Sequence, residues 1–244
     1  MYEDVAIIIP SRLGSQRLYQ KPLQLIGHQT MIEWMIERVK KTGIENIFVA
    51  TDSKLIAQKV EDCGVQYITT PESCDSGTDR VYEAYKTLDR DKFKYIINVQ
   101  GDMPFINPTT ILEVTKSLKN SPYGIITPVA KVDRDIAKSE TNVKVVIDKV
   151  NRAIYFSRSI IPSEAKEFWY HVGVYGFRQD VLKEFVTLPQ SSLELSERLE
   201  QLRAIENGIN IGVCYVEDIP ISIDTQDDLN KALNFYTAEG QNLQ

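Results

Sequence analysis

The chain of 244 residues is 43% hydrophobic and 25% charged, the proportions of a globular protein large enough for a substantial core. Its formal net charge of −6, with no long basic block, excludes a generic nucleic-acid surface while leaving room for a local patch that binds small anions. Three scattered cysteines, Cys63, Cys74 and Cys214, suggest neither a disulfide framework nor a zinc ribbon, so a reducing cytoplasm is the expected location. The first apolar run is too short to span a bilayer and follows Glu3 and Asp4, so no export signal and no membrane span are expected.

Val5-Ala6-Ile7-Ile8-Ile9 reads as an interior parallel strand that empties into a loop bearing Arg12, Arg17 and Lys21. In open α/β sheets ligands collect beyond the carboxyl ends of the strands, so these cations stand where phosphates would bind. Gly14 and the small Ser11 and Ser15 allow close backbone approach. A solvated basic loop is the competing explanation. The spacing of Met31, Ile32, Met35, Ile36 and Val39 predicts a helix over Thr30 to Lys41 that stops at Gly43. Ile47 to Ala50 follows as a strand, and Thr51-Asp52-Ser53 offers a cap for a helix over Lys54 to Asp62. Further strands at Val65 to Ile68 and Tyr95 to Val99 flank a helix near Asp79 to Leu88. Strands alternating with helices predict an α/β, doubly wound, predominantly parallel sheet.

Beyond Val99 the pattern changes. Val143 to Ile147, Ala153 to Phe156 and Tyr170 to Phe177 are short β-rich segments, expected to form a smaller β-rich extension over residues 133–190 within a single domain spanning 1–244. A helix is predicted over Ser192 to Asn207, with Leu193, Leu195, Leu199, Leu202 and Ile205 supplying much of its apolar face. Ile209 to Val216 returns to strand, and Thr225 to Tyr236 closes as a helix.

Chemistry-bearing residues collect at the expected strand ends. Asp102, in Asn98-Val99-Gln100-Gly101-Asp102-Met103-Pro104, follows the strand at Tyr95, and a carboxylate there suits magnesium, which takes one or two carboxylates together with substrate phosphates and water. Asp224, in Ile221-Ser222-Ile223-Asp224-Thr225, is its natural distant partner, although helix-start chemistry alone makes it a cap for the last helix. Ser76-Gly77-Thr78-Asp79-Arg80 is a second small-residue loop before a helix; its backbone donors suit a nucleotide or a simple cap, and Arg80 supplies charge or bridges to a carboxylate. Neither Gly-x-x-x-x-Gly-Lys nor Gly-x-Gly-x-x-Gly occurs, which removes the usual ATPase and dehydrogenase signatures.

Taken in order, Ile8-Ile9-Pro10-Ser11-Arg12, Lys21-Pro22-Leu23, Val49-Ala50-Thr51-Asp52, Ser76 to Arg80 and Asn98 to Asp102 resemble the 3-deoxy-manno-octulosonate (Kdo) cytidylyltransferase family. The similarity continues through Val143 to Val146, Tyr155-Phe156-Ser157-Arg158-Ser159, His171 to Gly176, Leu199-Glu200-Gln201-Leu202-Arg203 and Asp224-Thr225, nearly the whole chain. The resemblance implies a nucleotide-binding sheet and an enzyme that joins the anomeric hydroxyl of Kdo to the α-phosphate of CTP with magnesium, releasing pyrophosphate, for lipopolysaccharide biosynthesis. It implies a homodimer, with the β-rich extension serving sugar binding and dimerisation. Arg12 and Lys21 would contact the triphosphate with Arg17 as helper, Pro10, Ser11, Arg12, Ser76, Gly77 and Arg80 would hold the nucleotide, and Asp102 and Asp224 would bind the metal. Catalysis would therefore rest on Arg12, Lys21, Asp102 and Asp224, and the sugar acid on Gln100, Arg158, His171, Tyr175, Glu200 and Gln201. Arg158 best suits the sugar carboxylate, because a guanidinium makes paired charge-assisted hydrogen bonds.

Two departures stand out. Met103 occupies a position that is usually acidic in the family, and Leu18-Tyr19-Gln20-Lys21 replaces the usual Leu-Pro-Gly-Lys. They make 8-amino-Kdo or another modified sugar acid an alternative substrate. A nucleotide-sugar glycosyltransferase would be expected to carry a paired-acid metal motif, which Asp102-Met103-Pro104 does not supply. A catalytically inactive nucleotide-binding paralogue is opposed by the retention of Arg12, Lys21, Asp102 and Asp224.

Overall fold

The computed structural model describes residues 2–14 and 17–243, with 239–243 as backbone only. Ser15, expected beside Gly14 in the phosphate loop, lies outside the described residues. In chain order the elements are β1 (Val5–Ser11), β2 (Leu25–Ile26), β3 (Gln29–Thr30), α1 (Met31–Lys40), β4 (Ile47–Thr51), α2 (Lys54–Asp62), β5 (Gln66–Thr69), α3 (Gly77–Tyr85), β6 (Tyr95–Val99), α4 (Pro108–Asn120) and β7 (Ile125–Val132). They continue with α5 (Arg134–Ala137), β8 (Lys144–Ile147), β9 (Ala153–Ser157), β10 (Phe168–His171), β11 (Val174–Arg178), α6 (Gln179–Thr187), α7 (Ser192–Glu197), α8 (Leu202–Glu206), β12 (Ile211–Val216) and α9 (Gln226–Leu243). The chain divides into two compact units: Met1–Asp89, Asn98–Pro108 and Pro220–Gln244 form the first, and Arg90–Ile97 and Thr109–Ile219 the second.

The first unit is an α/β layer with strand order β5-β4-β1, and it includes the last two residues of β6, Asn98 and Val99. β1 pairs parallel with β4, and β4 parallel with β5. Every residue of β1 is buried, as its β-branched run requires of a central strand. Helix starts follow local capping chemistry: Thr30 and Glu33 form a capping box on α1, Ser53 caps α2, and Ser76 and Asp79 form a box on α3. Trp34, Phe105, Ile223 and Leu229 meet in one apolar cluster, where the indole nitrogen of Trp34 donates to the Ile26 carbonyl at 2.9 Å.

The second unit is β-rich, with strand order β11-β7-β10-β8-β9 and β12 beside β7. β7 pairs parallel with β12 and antiparallel with β10 and β11. The segment expected as one strand over Tyr170 to Phe177 is two strands, broken at Val172-Gly173. The helix expected over Ser192 to Asn207 is also broken. Arg198 takes the left-handed conformation (φ 56°) and ends α7. The cause is a buried ion pair: Glu194 accepts from Arg203 Nε and Nη2 at 2.8 and 2.6 Å. In a continuous helix residues nine apart lie on opposite faces and about 13.5 Å apart along the axis. Closing this pair therefore needs the turn at Arg198, which sets Glu200 and Gln201 in a bend between α7 and α8. Among the described residues, no helix is long and apolar enough to cross a membrane.

Candidate active site

Within the first unit the ends of β1 and β6 come together. A Cβ placed on Gly101 would lie 2.9 Å from the Pro10 carbonyl oxygen, so glycine is what permits this close backbone approach. The Asp102 carbonyl accepts from the Ile223 amide at 2.8 Å, and Asp102 Oδ2 accepts from the Ser222 hydroxyl at 2.8 Å. The helix cap is Thr225, not Asp224: Thr225 and Asp228 bond reciprocally at the start of α9. Asp224 is thereby free for other partners. Its carboxylate receives Lys21 Nζ at 2.9 Å and Arg17 Nη2 at 3.2 Å, while Lys21 Nζ stands 4.0 Å from Asp102 Oδ2. Ser222 carries no sequence-based expectation. Its only signal is its place two residues before Asp224.

These groups surround a cavity of about 660 Å³, lined by Pro10, Ser11, Arg12, Gly14, Arg17, Lys21, Ser76, Gly77, Arg80, Gln100, Asp102 and Asp224 among others. That is the size of a small-molecule site, ~300–1,000 Å³. Two of the lining atoms, Ser11 Oγ and Asp102 Oδ1, are buried with no hydrogen-bond partner among the described residues. A buried polar atom without a partner costs about 1–3 kcal/mol, a cost that a bound ligand removes. Among the described residues, no group of three or more His, Cys, Asp or Glu side chains is arranged to hold a metal. The Asp102–Asp224 pair suits a hard cation of the magnesium type, which takes its remaining ligands from phosphate and water.

The second loop contributes support as well as lining. The Arg80 guanidinium is buried and donates to Thr70 Oγ1 at 2.6 Å and Asp52 Oδ2 at 2.7 Å, so it bridges to a carboxylate and braces the Ser76–Gly77 helix start. A Cβ on Gly77 would stand 2.9 Å from Gln100 Oε1, so the loop packs tightly on that amide. In the cationic loop Gln20 is left-handed (φ 46°, ψ 42°). A side chain there costs about 1–2 kcal/mol, which explains why glycine suits this place. Gln20→Gly is expected to stabilise the protein by about 0.5–1 kcal/mol in chemical denaturation, the relief of strain outweighing the added unfolded-state entropy. A loss of stability would mean that the Gln20 side chain makes a contact worth more than its strain.

The remaining expected residues, Arg158, His171, Tyr175, Glu200 and Gln201, belong to the second unit. His171 and Tyr175 are buried, with ring centroids 5.3 Å apart. Burial pushes the His171 imidazole down to about 3, so it is neutral at physiological pH. The Thr127 hydroxyl has one hydrogen and directs it to a carbonyl, that of Val174 lying at 2.8 Å, so it accepts from His171 Nε2 at 2.9 Å and leaves Nδ1 as an acceptor. Burial, and then the nearby Glu200 charge, holds the Tyr175 phenol well above its ordinary value, so it remains a donor. Among the described residues, Gln201 Nε2 is a buried donor without a partner. Arg158 is half-buried beside Glu197, whose backbone carbonyl accepts from its Nε at 3.2 Å.

A family model for cytidylyltransferases matches residues 6–219. The chain is 55% identical over 236 residues to the 3-deoxy-manno-octulosonate cytidylyltransferase of Rickettsia bellii (strain OSU 85-389), covering 96% of this chain and 97% of that one. It is 53% identical to the protein of the same name from Rickettsia conorii (strain ATCC VR-613 / Malish 7), over 96% of each. Among solved structures it matches CMP:2-keto-3-deoxy-manno-octonic acid synthetase complexed with CTP, with a TM-score of 0.89, 35% identity and coverage of 96% of this chain and 99% of that one. A cytidylyltransferase from Leptospira borgpetersenii, at 17% identity and a TM-score of 0.60, shares the fold. With this full-length similarity, the chain belongs to the 3-deoxy-manno-octulosonate cytidylyltransferase family and is a nucleotidyltransferase enzyme.

Proposed function

We propose that this cytidylyltransferase transfers CMP from CTP to the anomeric hydroxyl of Kdo and releases pyrophosphate. The observation that carries this is the cavity in which Arg12, Arg17 and Lys21 line the same space as the Asp102–Asp224 pair, with Ser11 Oγ and Asp102 Oδ1 lacking partners among the described residues. Such a set matches a polyphosphate: the cations neutralise phosphate oxygens, and the backbone around Pro10–Arg12 and Ser76–Gly77 approaches the nucleotide closely. Asp102 and Asp224 would hold magnesium, which supplies charge neutralisation at the triphosphate. Lys21 and Arg17 then exchange Asp224 for phosphate oxygens when the nucleotide enters. No protein nucleophile is required, since orienting the sugar oxygen against phosphorus and stabilising the charge that develops suffice for direct displacement.

In the same proposal Gln100, Arg158, His171, Tyr175, Glu200 and Gln201 bind the sugar acid. Arg158 takes the carboxylate, neutral His171 accepts a hydroxyl at Nδ1, and the Tyr175 phenol donates. The extension over residues 133–190 supplies much of this set and, in a homodimer, the subunit contact. Kdo itself is preferred over a modified sugar because the relatives' names carry it. Initial rates of pyrophosphate release with CTP, magnesium and a panel of Kdo, 8-amino-Kdo and a sialic acid test the choice. Kdo is expected to give the highest kcat/KM; a higher value for 8-amino-Kdo would shift the assignment, and no release with any of them would remove it.

A further inference from the structure

Lys144 is fully buried in β8, and its ammonium donates to three backbone carbonyls, those of Ser139 (3.1 Å), Asn142 and Arg158. An ammonium has three donors and no acceptor, so every hydrogen is used. The cost of burying it is visible in its acidity: burial first, and the Arg158 charge second, pull the amine below the ordinary lysine range. What the charge accomplishes is to tie the turn over residues 139–142 and the backbone of Arg158 to one atom.

Glu197, at the end of α7, grips the same residue from the other side. Its Oε2 accepts from the Arg158 amide at 3.1 Å, and its Oε1 from the Ser157 hydroxyl at 2.8 Å and the Tyr155 phenol at 3.4 Å. Its backbone carbonyl takes Arg158 Nε, and the Glu140 carbonyl takes Arg158 Nη1 at 3.2 Å. Arg158 is thus held at its amide, its carbonyl, and the Nε and Nη1 atoms of its guanidinium. Among the described residues Nη2 has no hydrogen-bond partner, so its donors are left for an anion.

We propose that Lys144 and Glu197 are positioning residues for the acceptor sugar, locking Arg158 so that its Nη2 donors are preset for the sugar carboxylate. This rests on Arg158 being the carboxylate-binding residue. Held in advance, the fork gives up little rotamer entropy when the sugar binds; released, it must be ordered each time. Neither residue is expected to touch CTP.

The test compares R158A, K144M and E197Q by steady-state kinetics with CTP and Kdo, with thermal melts as a check on folding. R158A is expected to raise the KM for Kdo by about 100-fold and K144M and E197Q by about 10-fold, the usual effect of losing a supporting contact, with the KM for CTP within about 2-fold of the parent. If K144M fails to fold, E197Q decides, because glutamine keeps the size of the side chain. An unchanged KM for Kdo in R158A removes the assignment of Arg158, and the positioning role with it. A raised value in R158A with parental values in E197Q and in folded K144M overturns the positioning role alone. So do equal increases in both KM values, or lower melting temperatures with unchanged kinetics.

Discussion

Replacing Asp102 with asparagine is expected to lower kcat by about 10³-fold or more while costing no more than about 1 kcal/mol of stability. The two side chains have the same shape, and an asparagine oxygen still accepts from the Ser222 hydroxyl that holds Asp102 Oδ2 at 2.8 Å. What disappears is the negative charge and the partnerless Oδ1, the features that suit a hard cation. Asparagine is also as good a turn residue as aspartate, so a purely structural Asp102 would tolerate the change. Steady-state turnover with CTP and Kdo, set beside a denaturation curve of the same preparation, separates the two cases. Near-parental turnover would remove Asp102 from the chemistry.

The second large effect is expected at Lys21. K21M should reduce kcat/KM for CTP by about 10²-fold or more, since methionine fills the same volume without the charge. Lys21 sits in the 3₁₀ turn Lys21–Leu23, pinned between Asp224 and Asp102, and its side chain is only 17% exposed, so its field is poorly screened. Arg17, 68% exposed, faces more solvent and should matter less. K21R should keep part of the nucleotide affinity, because it preserves charge but not the compact geometry. Were Lys21 merely a structural partner of Asp224, K21M would lower the melting temperature and leave the KM for CTP alone.

The first half of the fold was largely legible because its elements obey simple rules. A fully buried strand reads as a run of β-branched residues, as at Val5 to Ile9, and α2 keeps its expected limits because Ser53 caps it. The second half defeats periodicity where tertiary contacts decide. β7 carries Pro128 in its middle, a residue that argues against a central strand, yet it is flanked by β10, β11 and β12. The break at Arg198 is dictated by the Glu194–Arg203 pair, a contact nine residues apart that helical periodicity does not reveal. At the site, the cations and Asp102 were foreseeable from strand-end logic, since ligands collect there. The freedom of Asp224 was not, because Thr225 and Asp228 compete for the cap and only the fold shows which residue wins. No role for Lys144 or Glu197 was legible, since each reaches the backbone of Arg158, 14 and 39 residues away along the chain.

The most direct measurement is the identity and stoichiometry of what the purified protein makes from CTP, Kdo and magnesium. One CMP-Kdo, identified by mass, and one pyrophosphate are expected for each CTP consumed, with no product when magnesium is chelated. CTP left intact, or CTP broken down without a CMP–sugar adduct, would contradict the proposed transfer.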